Sequence, residues 1–62
     1  MCESRAVLLE DGREKELMEN VIYLEPRNGS IFLCDLLGRE ITVEARIKEI
    51  KLLDHKIILV KQ

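Results

Sequence analysis

Apolar and polar positions alternate most cleanly over residues 41–48. Ile41, Val43, Ala45 and Ile47 fall on one side, and Thr42, Glu44, Arg46 and Lys48 on the other. A period of two belongs to a strand with one buried face. The phase then slips, because Lys48 and Glu49 are both polar before Ile50 and Leu52 resume. A β-bulge has this effect, and it bends the strand. The pattern therefore predicts one bent strand serving two sides of a small barrel. The rival reading is a helix over residues 44–53, where Ile47, Ile50 and Leu53 recur every three residues. The β-branched residues and the turns at both ends favour the strand.

Turn signals divide the rest of the chain into strand-length pieces. Asp11-Gly12 is a hairpin dipeptide. Pro26-Arg27-Asn28-Gly29 combines a fixed φ with a pair suited to tight reversal, and predicts a stop. Leu37-Gly38-Arg39 marks a third turn and Asp54-His55-Lys56 a fourth. Residues 2–9 and 17–24 supply further strands. Residues 30–34 and 57–60 are continuously apolar, as strands covered on both faces are. Short strands at this spacing predict an all-β fold, a small antiparallel barrel of SH3-like or Sm-like type with about five strands. The expected core holds Val7, Leu9, Val21, Ile31, Leu33, Val43, Ile47, Ile50, Leu52, Ile57 and Leu59.

Size changes the picture. A chain of 62 residues buries only about 60% of the surface its unfolded form exposes, so a lone core is marginal. Hydrophobic residues are nevertheless 47% of the chain, and two cysteines do not make a disulfide scaffold. A homodimer is expected, the second face of a doubly apolar strand lying against the partner subunit. Net charge is −2 with one Tyr and one Phe, which argues against a phosphate-binding face and against base-stacking platforms. No stretch is long enough to span a bilayer. The first five residues lack the order of a signal peptide, so a cytoplasmic location with reduced thiols is expected.

Enzyme constellations are missing. There is one histidine, and the few glycines are too scattered to form a phosphate loop. The acids Glu3, Glu10, Asp11, Glu14, Glu16 and Glu19 suit a solvated surface. Cys34 lies within an apolar strand and reads as a small hydrophobe. His55 reads as closing a hairpin by a hydrogen bond, and no CxxC or CxxH spacing points to zinc. Cys2 differs by its position beside the chain start. A thiolate is a soft ligand for late transition metals. With Met1 retained, the Met1 amine, the Cys2 backbone nitrogen and the Cys2 thiolate form two fused chelate rings. Deprotonating that nitrogen is worthwhile for nickel(II) or copper(II), which favour square-planar donor sets. With Met1 removed, Cys2 chelates through its own amine and thiolate.

Several stretches resemble one family. These are Met1-Cys2-Glu3-Ser4, Met18-Glu19-Asn20-Val21 with Leu24-Glu25-Pro26, Leu36-Leu37-Gly38-Arg39-Glu40, and the closing run from Ile47-Lys48-Glu49-Ile50 through Leu53-Asp54-His55-Lys56-Ile57. Together they are similar, in order, to the CooT family. The resemblance implies a single CooT-like barrel domain over residues 1–62, Sm-like and homodimeric. It also implies selective nickel(II) binding through Cys2 and a role in nickel supply to carbon monoxide dehydrogenase or another client. It gives no metal role to Cys34 or His55. Two alternatives stand beside this reading. One is an Sm-like RNA-binding module using the scattered Lys and Arg residues. The other is a protein-interaction domain presenting residues 57–60 as an exposed strand edge.

Overall fold

The computed structural model describes residues 4–61, and among them there are six strands and no helix. The strands are β1 (Ser4–Glu10), β2 (Arg13–Arg27), β3 (Ser30–Asp35), β4 (Glu40–Val43), β5 (Ala45–Lys51) and β6 (Lys56–Lys61). They form one sheet in the order β4-β3-β2-β1-β6-β5. The all-β expectation holds, with two corrections. There are six strands rather than five, because the run through residues 41–48 breaks at Glu44 into β4 and β5. Nor is the sheet wholly antiparallel, since β1 and β6 pair in parallel, Ala6 beside Ile57 and Leu8 beside Leu59.

The break at Glu44 shapes the molecule. β4 pairs with β3 at one edge and β5 pairs with β6 at the other, yet a single residue joins them. The two edges must therefore come together, which curls the sheet into a half-barrel. The stretch does serve two sides, as its pattern predicts, although the change of side occurs at Glu44. The phase slip further on is a bulge: the β5–β6 register shifts between Ile47 and Glu49.

Local chemistry explains the reversals. Asp11 and Gly12 both take positive φ, 52° and 76°. That is the two-residue turn whose twist matches the flanking strands. Pro26 does not stop β2. It faces Ile31 next to the two-residue turn, and antiparallel alternation there directs its missing N–H away from β3. On that side β1 has already ended, its pairing with β2 reaching only Ser4 opposite Val21. A proline is tolerated where no ladder bond is lost.

The core packs Ala6, Met18, Val21, Ile31, Leu33, Ala45, Ile57 and Leu59 inside the curl, with Leu8, Leu24, Ile41, Val43 and Ile47 against them. In β1 the inward residues are thus Ala6 and Leu8; the expected Val7 is buried, at 3% exposed, but on the opposite face of the strand, and the expected Leu9 is only half-buried there. Ile50 and Leu52 are also absent from the core. Ile50 stands beyond the β5 bulge, Leu52 lies in the following turn, and both are exposed.

Residues 57–60 are not an edge, because β6 lies between β1 and β5. Ile57, Ile58 and Leu59 are buried in succession, which is the two-sided burial their apolar run predicts. The chain itself covers the outer face. Val7 and Ile58 pair side by side there, and both are buried. Glu14 on β2 and Lys56 on β6 reach across β1 to an ion pair of 3.0 Å. Arg5 and Glu16 form another at 3.6 Å. Such surface pairs contribute about 0–1 kcal/mol as charges. Their larger service is steric, since long stems lie over apolar neighbours while the charged heads stay in water.

Candidate functional site

One end of the sheet gathers the features that the pattern of strands leaves unexplained. β1 starts there, with Ser4 opposite Val21. The Arg5 N–H donates to the carbonyl of His55 at 2.8 Å, and the Leu36 N–H donates to the carbonyl of Asn20 at 2.9 Å. The start of β1 is thereby flanked by two loops, residues 36–39 before β4 and residues 52–55 before β6. Each loop exposes a pair of leucines. Leu36 and Leu37 are 65% and 78% exposed, and Leu52 and Leu53 are 80% and 97% exposed. The two loops thus hold four exposed leucines near the start of β1.

Asp35 builds the first loop. It is the only buried charged residue among those described, 1% exposed. Its Oδ1 accepts the N–H groups of Leu37 and Arg39, each at 2.9 Å, and its Oδ2 accepts Nε of Arg39 at 2.7 Å. The Gly38 N–H closes the turn on the Asp35 carbonyl at 3.0 Å, with Gly38 at φ 86°. Burial works to push this carboxyl up. The backbone and side-chain hydrogen bonds of Arg39, the Leu37 N–H and the Arg39 charge outweigh it, and hold the carboxyl below the usual range. Strand alternation places Asp35 inward with Ile31 and Leu33, and an Asp three residues before a Gly is a turn signature. Sequence reading took the turn and missed the carboxylate that organises it.

Two residues near this end hold the left-handed conformation without being glycine. Asn20 has φ 51° at the irregularity where β2 leaves β1 for β3, and His55 has φ 51° in the second loop. His55 closes its turn as expected, but through the backbone, its N–H donating to the Leu52 carbonyl at 3.2 Å. Its side chain is exposed. Cys34 is a half-buried free thiol whose Sγ makes a weak contact with the Asp35 carbonyl at 3.6 Å. Cys2 and Met1, the expected metal-binding residues, lie outside the described residues. Among the described residues no three His, Cys, Asp or Glu side chains are grouped to hold a metal ion, and no helix is long and apolar enough to cross a membrane.

The family model described as CO dehydrogenase accessory protein CooT matches residues 1–60. No curated protein matches this chain. Among solved structures, a chain from Carboxydothermus hydrogenoformans assigned as CooT is 30% identical. The match covers 98% of each chain with a TM-score of 0.91.

Proposed function

This chain belongs to the CooT family of CO dehydrogenase accessory proteins, and from that premise we propose that it is a nickel(II)-binding accessory protein of the cytoplasm. The Cys2 thiolate and the neighbouring N-terminal nitrogens bind the ion. A soft thiolate beside strong nitrogen donors suits a late transition metal far better than magnesium or calcium. The ion is cargo, held for delivery to a client such as carbon monoxide dehydrogenase.

The observation that supports this most is the position of the leucine loops. They stand on either side of the β1 start, from which Cys2 is two residues distant in sequence. A second copy covering these leucines by two-fold symmetry brings the two chain starts toward one axis. The half-sites then meet only in the homodimer, so nickel affinity and association rise together.

The basic residues do not support an RNA-binding reading. Six of the ten Lys and Arg residues (Arg5, Arg27, Arg39, Lys48, Lys56 and Lys61) pair with acids of the same chain. The surface therefore lacks the basic stripe that draws phosphates.

Nickel titration of Cys2→Ser and Cys34→Ser tests the reading. Cys2→Ser is expected to lose tight binding with its fold intact, and Cys34→Ser to bind as the wild type does. Undiminished affinity in Cys2→Ser would refute the proposal. Native mass spectrometry of protein purified without chelators is expected to show a dimer carrying nickel.

A further inference from the structure

β5 is an outer strand of the sheet, paired with β6 alone. A strand in that position turns the N–H and C=O of every second residue away from its neighbour. Among the described residues no backbone hydrogen bond beyond the β6 ladder engages residues 46–51. Proteins guard such edges with cations and bulges, and β5 has both, in Arg46, Lys48, Lys51 and the irregularity after Ile47. The charges turn away a second copy of the same strand, because like charges set opposite one another are destabilising. They do not turn away an acidic strand. Two features make this edge more than a guarded one. The cations are largely unanswered: Arg46 and Lys51 form no ion pair among the described residues, and Lys48 meets only its neighbour Glu49, at 3.8 Å. β6 beside them carries no acid. A cavity of about 330 Å³ also opens at the head of β5, lined by Ala45, Arg46 and Ile47 together with Pro26, Ile31 and the β2–β3 turn. Clefts that bind ligands have volumes of about 300–1,000 Å³ and mostly apolar walls.

From the open edge, the unanswered cations and the cavity we infer that β5 is a docking site for an extended acidic segment of a partner protein. The segment adds to the sheet as a further strand, its main chain bonded to the free groups of residues 46–51. Its carboxylates answer Arg46, Lys48 and Lys51, and one of its apolar side chains enters the cavity at the head of the strand. Strand addition draws affinity from main-chain bonds and selectivity from pockets for side chains. Charge complementarity adds speed of encounter and rejects basic segments. The inference does not depend on the reading of Cys2 as a nickel anchor.

The probe is a fluorescein-labelled peptide of alternating Glu and Val, titrated with the full-length protein and followed by fluorescence anisotropy. Wild type is expected to bind it about tenfold or more tightly than a matched peptide of Gln and Val. Arg46 and Lys51 are exposed, so Arg46→Glu combined with Lys51→Glu is expected to melt as the wild type does. That variant is expected to lose about tenfold or more in affinity for the acidic peptide. Arg13→Glu combined with Lys15→Glu changes net charge by the same amount on β2, at cations that are also exposed and outside any printed-length ion pair, and is expected to bind as the wild type does. Methylating alternate amides of the peptide removes main-chain donors and keeps every charge, and is expected to abolish binding. In the complex the outward amide protons of residues 46–51 are expected to exchange more slowly. If both double variants weaken binding equally, or the methylated peptide binds as its parent does, the attraction is general electrostatics and the inference falls. A labelled oligouridylate that binds more tightly than the acidic peptide, with the same dependence on Arg46 and Lys51, would assign the edge to nucleic acid and overturn it. Failure of the acidic peptide to bind wild type at about 1 mM overturns it as well.

Discussion

A carboxylate removed from water among aliphatic side chains is stable only when its lone pairs are answered. Asp35 meets that condition with two backbone N–H donors and a guanidinium. Its lowered proton affinity sets the sign of a pH effect. A group with a depressed folded-state pKa adds stability above its unfolded value, near 4 for aspartate. That contribution disappears as pH falls through the folded value. Asp35→Asn is therefore expected to lower the urea midpoint at pH 7, with the gap to wild type narrowing steadily below pH 4. Urea titrations at both pH values check this, and a gap that stays constant with pH would contradict it. The residue was readable in principle. Period-two counting through Ile31 and Leu33 arrives at Asp35, but an acid following an apolar run looks like the end of a strand.

Elements were legible where they depend on neighbours in sequence. The Asp11-Gly12 hairpin, the two-sided burial of β6 and the bulge after Ile47 follow from local pattern. The break at Glu44 does not, because the alternation continues through it without a missed beat. The edges of the sheet were equally hidden. Which strand is central depends on partners dozens of residues away, and the burial pattern of β6 is the same whether a second subunit or the chain's own ion pairs cover its outer face. The central position of β6 has a measurable effect. Leu59 is fully buried between β1 and β5, and Leu59→Ala is expected to cost about 3 kcal/mol by lost transfer and cavity. That loss should exceed the effect of Leu53→Ala, whose side chain is almost wholly in water. Denaturant unfolding of the two variants side by side gives the comparison.

At the scale of the whole molecule, the exposed leucines carry the clearest expectation. Leu37→Glu combined with Leu53→Glu places charge on both loops without touching the core. It is expected to convert a dimer to a monomer in sedimentation equilibrium and to remove the concentration dependence of Tm that linked association imparts. An unaltered dimer would locate the contact elsewhere. Size alone suggested association; the exposed leucines before β4 and β6 are the surface we propose for it. The parallel pairing of β1 with β6 also bears on how the polypeptide is made. The hairpins β1–β2 and β2–β3 can assemble as soon as they leave the ribosome, but β5 has no strand to pair with until residues 57–59 arrive to join it to β1. Biosynthesis thus leaves an open seam between β1 and β5 until β6 is made, and residues 57–59 act as the fastener that closes it.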